Sequence, residues 1–139
     1  MKLRDVIRAS SPEMLPPDST VADALVAMVE NKTDFAIIDR TGIDDAYGII
    51  SRWDIVVGPI AEGKNLLEMQ ALSCARKPVV VMNNLDADIR WVAKKMANEN
   101  ISKIAVFDKE DFLGVVSDTD LIRAVSSKGT PVKKEEEAK

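Results

Sequence analysis

The chain has 139 residues, 46% of them hydrophobic, with no histidine, one cysteine (Cys74) and a formal net charge of −4. That is room for one domain or two very small ones. It excludes the usual zinc sites, histidine-based triads and the commonest general base, any internal disulfide, and a wide electrostatic footprint for nucleic acid. A single thiol fits a reducing, cytoplasmic setting. No apolar run approaches the ~20 residues that span a membrane, and charge breaks up the opening MKLRDVIRASS, which therefore does not read as a signal peptide.

In chain order, KLRDVI comes first, a segment whose role as a lead-in is implied only by the resemblance given below. EMLPPDSTV (13–21) then leads into a helical pattern, with Val21, Leu25, Met28 and Val29 at i, i+4, i+7 and i+8. Thr20 stands at the N-cap, and with Asp23 it has capping-box spacing. FAIID (35–39) reads as a short buried strand closing on a turn, RTGIDDA. A second strand, GII, runs into Ser51-Arg52-Trp53-Asp54, where another helix opens. A linker follows, 61–77, helical around NLLEMQAL.

The order then repeats. VMNNLDADI (81–89) leads to a helix with Ile89, Val92 and Met96 at i, i+3 and i+7, capped by Asp88. IAVFD (104–108) is the strand and KEDF the turn. GVVSDTDLI carries Gly114, Ser117 and Asp120 at the spacing of Gly48, Ser51 and Asp54. The sequence thus divides into a first repeat with its lead-in (1–60), the helical linker (61–77), a second repeat (78–126) and a flexible charged tail (127–139). The expected fold class is α/β (α+β), with two pseudo-symmetric βαββα repeats packed face to face, because a unit this small buries too little surface to be comfortable alone.

This doubled pattern, each copy ending in Gly-h-h-Ser-x-x-Asp after its last strand, resembles a tandem pair of CBS domains (cystathionine beta-synthase domains), the Bateman module. The resemblance covers roughly residues 1–126. It implies two halves with a cleft between them, assembly into a homodimer, and binding of an adenosine nucleotide in that cleft without catalysis. It assigns ribose contact to Asp54 and Asp120, and contact near the phosphate to Ser51 and Ser117. The physical chemistry is compatible. A serine at a helix start leaves outward N–H groups suited to an anion, and a carboxylate one turn on can accept from a vicinal diol. Some of the apolar side chains on the strands before the motif, Ile49, Ile50, Val115 and Val116, could wall a flat base. The resemblance places AMP, ADP or ATP ahead of S-adenosylmethionine, with an unidentified protein partner for the output. Two other readings stay open. Ser-x-x-Asp is also a capping box that needs no ligand, which would leave a purely structural dimerisation module; and an enzyme acting on a nucleotide would have to work without histidine.

The copies differ. The second adds Thr119 within its motif, Lys103 entering its strand and Arg123 one turn after Asp120, all candidate ligand contacts. The first adds Arg52, but places Asp34 at the position matched to Lys103 and Trp53 at that of Thr119. Trp53 and Trp91 read as core or interface packing, although Trp53 could also stack on a base or obstruct the pocket; Cys74 reads as a small buried or half-buried side chain rather than a redox switch, and Asp44–Asp45 as a solvated loop rather than a metal site. Consecutive apolar residues after each motif, Ile55, Val56, Val57 and Ile60, then Leu121, Ile122, Ala124 and Val125, exceed one helical face and suggest a partner surface.

Overall fold

A computed structural model describes residues 1–7 and 13–127, which form α1 (Leu3–Val6), α2 (Val21–Asn31), β1 (Phe35–Ile38), β2 (Gly48–Ser51), α3 (Arg52–Ile55), β3 (Val81–Met82), α4 (Ile89–Glu99), β4 (Lys103–Asp108), β5 (Asp111–Ser117) and α5 (Asp118–Ser127). They divide into two compact units, residues 13–79 and residues 1–7 with 80–127. The mixed helix-and-sheet class matches expectation. Among the described residues no helix is long and apolar enough to cross a membrane. The expected tail lies outside the described residues from residue 128 onward.

In the unit of residues 13–79, β1 and β2 pair antiparallel, Phe35 opposite Ser51 and Ile38 opposite Gly48, and Leu15 bridges Ile38 in parallel. The capping box at Thr20 forms: its Oγ1 accepts from Asp23 N–H at 3.1 Å, and Asp23 Oδ2 accepts from Thr20 N–H at 2.9 Å. Two of the four otherwise unpaired donors at this helix start are thereby satisfied. α2 turns Val21, Ala24 and Met28 onto Ala36, Ile38, Ile50, Ile55 and Ala71. It ends at Lys32 in the left-handed conformation (φ 55°), with Thr33 N–H on the Met28 carbonyl at 2.9 Å.

The other unit follows the same plan, with β3 parallel to β4 and β4 antiparallel to β5. Val92 and Met96 of α4 pack on Ile104, Val106 and Val116. α4 is capped by Asp88, which accepts from Arg90 N–H at 2.9 Å, and ends at Asn100 (φ 56°), with Ile101 N–H on the Met96 carbonyl at 2.9 Å.

The structure departs from the expected boundaries at the lead-in and the linker. The opening segment does not join the first repeat. Leu3 and Val6, spaced i, i+3 on one short turn, are buried in the core built by the second. Leu3 N–H donates to Ala87 O at 2.8 Å and Ile89 N–H to Met1 O at 3.0 Å. The linker repeats this arrangement on the first repeat: Ala71 N–H donates to Ser19 O and Val21 N–H to Met69 O, both at 2.9 Å. Ala71 is buried there, and Leu66, Met69, Leu72, Cys74 and Ala75 pack around it. Residues 61–77 are therefore the second repeat's own lead-in, docked on the first repeat. NLLEMQAL does not form the expected helix; turns and one 3₁₀ turn, Ala71–Ser73, replace it. Its apolar side chains follow the groove they fill rather than one helical stripe.

The helix expected after Ser51 opens there, but after one α turn it widens into a π-helical turn, Val56–Ile60, around buried Pro59. Proline has no N–H to donate back along the helix, so the regular ladder cannot continue through it.

Candidate helix-start sites in the two repeats

Each last strand delivers its serine to a helix N-terminus, and each aspartate turns back onto it. In the first repeat, Ser51 N–H and Oγ–H both donate to Asp54 Oδ2 at 2.9 Å, while Asp54 N–H donates to Ser51 Oγ at 3.2 Å. In the second, Ser117 N–H donates to Asp120 Oδ2 at 2.8 Å and Asp120 N–H to Ser117 Oγ at 3.1 Å. Both motifs are closed capping boxes, and both serines and both aspartates are part-buried. Each box therefore holds a carboxylate oxygen at a helix start, beside donors that carry partial positive charge.

The surroundings differ. In the second repeat Arg123 Nη1 lies 3.8 Å from Asp120 Oδ1, with the Asp120 side chain only 13% exposed. Lys103 stands directly opposite Ser117 across β4 and β5. Thr119 is exposed, its N–H donating to Asp118 Oδ1 at 2.8 Å. Thus Ser117, Thr119, Asp120, Lys103 and Arg123 share one strand end and one helix turn. In the first repeat Arg52 Nη2 donates to the Thr33 carbonyl at 3.2 Å, so its charge caps the loop leaving α2.

The expected match of Asp34 with Lys103 is corrected by one residue. Lys32 and Asn100 are equivalent helix ends. Counting from them, Phe35 corresponds to Lys103 and Asp34 to Ser102. The strand register agrees, since Phe35 faces Ser51 as Lys103 faces Ser117. So do the carbonyls, since Asp34 O accepts from Arg52 N–H and Ser102 O from Asp118 N–H, each at 2.9 Å. The contrast between repeats is a buried phenylalanine against a half-buried lysine, not a carboxylate against a lysine. Similar apolar strings in FAIID and IAVFD masked the slip; the equal spacing from each α2-type helix end was the signal that could have found it.

Other expectations change too. Trp53 and Trp91 do not join the core of either unit: they are 67% and 60% exposed, and Lys94 Nζ lies 4.7 Å from the Trp91 ring centroid. Ile55 is consumed by its own core, whereas Val56, Val57, Ile60 and Ile122 stay exposed. Asp45 is not merely solvated. Lys77 Nζ reaches its Oδ1 at 2.8 Å, and Thr41 donates N–H and Oγ–H to Oδ2, both at 2.9 Å. Lys77 first, then Thr41, holds that carboxyl well below the usual carboxylate range. Cys74 is half-buried, its thiol pushed up by burial first and by the Asp54 charge second. Among the described residues no cluster of histidine, cysteine, aspartate and glutamate is placed to hold a metal ion.

Comparison with known proteins finds the CBS domain model matching residues 3–58 and 75–127. The chain spans about half the length of the curated relatives it matches. One, an uncharacterised protein of Methanocaldococcus jannaschii, is 31% identical over 120 residues, 85% of this chain and 42% of that protein. Among solved structures, the hexameric CBS-CP12 protein from bloom-forming cyanobacteria is 26% identical with a TM-score of 0.83, over 99% of this chain and 82% of that one. A CBS domain protein from Pyrobaculum aerophilum, complexed with AMP, is 21% identical with a TM-score of 0.75, over 92% of this chain and 97% of that one.

Proposed function

Because the chain belongs to the CBS domain family, with one copy of the domain in each repeat, we propose that it is a regulatory module that binds an adenosine nucleotide and changes its affinity for a protein partner. It is not an enzyme in this reading, it self-associates, and it works in a reducing, cytoplasmic setting. The observation that carries the reading is the second repeat's helix start, where Asp120, Ser117, Lys103 and Arg123 gather around one strand end. Asp120 would take the ribose diol. Ser117, Thr119 and the helix-start N–H groups would lie toward the phosphate, with Lys103 and Arg123 balancing its charge. Ser51 and Asp54, with Arg52 nearby, would form the first repeat's counterpart. The Pyrobaculum protein of this fold is complexed with AMP, which supports the adenosine class; AMP, ADP and ATP come first and S-adenosylmethionine after them.

A second reading has its own support. Both motifs are closed capping boxes that satisfy their own donors, as a purely structural dimerisation module would require. Titration calorimetry separates the two. AMP or ATP should bind saturably and more tightly than GTP or CTP, with no turnover of the nucleotide. Absence of heat with every adenosine ligand would leave the structural module; hydrolysis would establish an enzyme.

A further inference from the structure

The two helix starts carry opposite charge at one matched position. Asp118 N–H donates to the Ser102 carbonyl as Arg52 N–H does to that of Asp34, so Asp118 and Arg52 are the equivalent first residues of α5 and α3. Arg52 carries its guanidinium to the Thr33 carbonyl. Asp118 is exposed, and its Oδ1 accepts from Thr119 N–H at 2.8 Å. The leading amides of α5 are thereby all engaged: Asp118 N–H on Ser102 O at 2.9 Å, Thr119 N–H on Asp118 Oδ1, and Asp120 N–H on Ser117 Oγ at 3.1 Å. Of these three acceptors only the Asp118 carboxylate is a charged side chain on the surface, so it is the one that an incoming anion can displace. It already sits where the helix dipole favours negative charge.

We propose that Asp118 sets the charge limit of the second repeat's site, so that it admits an adenosine ligand with one phosphate group and disfavours one with three. The inference rests on the adenosine-nucleotide reading given above. A monophosphate carries up to about two negative charges near pH 7. Lys103, opposite Ser117, and Arg123, beside Asp120, are placed to match them. To reach the Thr119 N–H, a phosphate must turn the Asp118 carboxylate aside. An aspartate side chain is too short to carry its charge beyond the ~8 Å screening length at physiological salt. The displaced carboxylate therefore repels each further phosphate of a diphosphate or triphosphate. In the first repeat Arg52 puts the opposite sign at this position, so the limit belongs to the second repeat alone. An acidic first-turn residue also stabilises α5 through the helix dipole, but that role gives no preference among nucleotides.

The test is titration calorimetry of the full chain with AMP, ADP and ATP in magnesium-free buffer, comparing the parent with Asp118→Asn and Asp118→Arg. Position 118 is exposed, asparagine keeps an oxygen for the Thr119 N–H, and circular dichroism checks that the fold is kept. The parent should bind AMP more tightly than ADP, and ADP more tightly than ATP. The ratio of the ATP Kd to the AMP Kd should fall at least about fivefold in Asp118→Asn, and further in Asp118→Arg. The difference between parent and variants should narrow as salt is raised. A purely structural Asp118 would weaken all three nucleotides alike, or none, and leave the ratio unchanged. That result, a parent that prefers ATP to AMP, or a ratio that does not follow the charge at 118 would overturn the charge limit and leave the nucleotide reading intact. Absence of binding by all three nucleotides, in parent and variants alike, would overturn both.

Discussion

Asp120 and Asp54 do the same local work, yet their surroundings predict different consequences when each loses its charge. Asparagine at position 120 keeps a side-chain oxygen that can still accept from Ser117 N–H, now held at 2.8 Å, so the helix start survives at a cost of less than ~1 kcal/mol. The charged acceptor proposed for the ribose is gone, however, and each hydrogen bond to a charged group is worth about 1.5–3 kcal/mol. Losing even one weakens binding by about tenfold or more. Asp120→Asn should therefore reduce adenosine-nucleotide affinity much more than Asp54→Asn, whose repeat places buried Phe35 where the second places Lys103. Calorimetry on both variants decides. A silent Asp120→Asn beside a damaging Asp54→Asn would mean that the charge argument chose the wrong repeat, and that exposed Trp53 serves as a stacking platform.

At the scale of elements, the repeated glycine shows one letter serving two needs. Gly114 has φ 145°, and it sits where β5 carries Leu113 as an extra residue against β4, between the pairs Val106–Gly114 and Phe107–Phe112. A side chain there is strained whatever the space, by about 1–3 kcal/mol. Gly48 has no such backbone; an added Cβ would meet Leu72 Cδ2 at 3.4 Å and Arg76 O at 3.5 Å, which is ordinary contact. Gly114→Ala should lower the denaturation midpoint clearly, and Gly48→Ala much less; equal losses would mean that the bulge geometry is not what the glycine secures. Leu3→Ala makes a related claim. Leu3 is fully buried in the second repeat's core, so the truncation should cost about 2–5 kcal/mol and raise hydrogen exchange in α4 and α5 before α2. Faster exchange in α2 first would contradict the lead-in's placement. The caps, strands and both Ser-x-x-Asp helix starts were legible in the sequence because each is local: Thr20 with Asp23 and Ser51 with Asp54 need only a spacing of three. The lead-in exchange was not, since Leu3 and Ala71 find partners set by the whole chain. The one-residue slip at Asp34 arose because four consecutive buried residues, Phe35–Ile38, leave no alternation to mark the register.

At the scale of the whole molecule, the acidic balance is held partly by carboxylates that folding makes more acidic. Asp45 is lowered by Lys77 first and then by Thr41, Asp86 by Arg4, and Asp88 by the Arg90 N–H. Each depressed value means that the folded state releases its proton more readily than the unfolded chain, whose aspartates titrate near ~3.9. Their stabilisation is fully present above that value, and it is lost as pH falls through the lower folded values. Stability should therefore be level from neutrality to about pH 5 and decline below it. The Arg4–Asp86 pair is well exposed and contributes little of this; the shielded Lys77–Asp45 pair, 33% and 25% exposed, is the better probe. Lys77→Met removes the cation while keeping the length of the side chain. It should lower the urea midpoint near pH 6, and its deficit against the parent chain should shrink as pH falls below ~3.9, because the unfolded chain then takes up a proton that the Lys77-paired Asp45 of the folded parent resists. A deficit that stays constant across that range would mean that Lys77 acts through its packed stem rather than its charge.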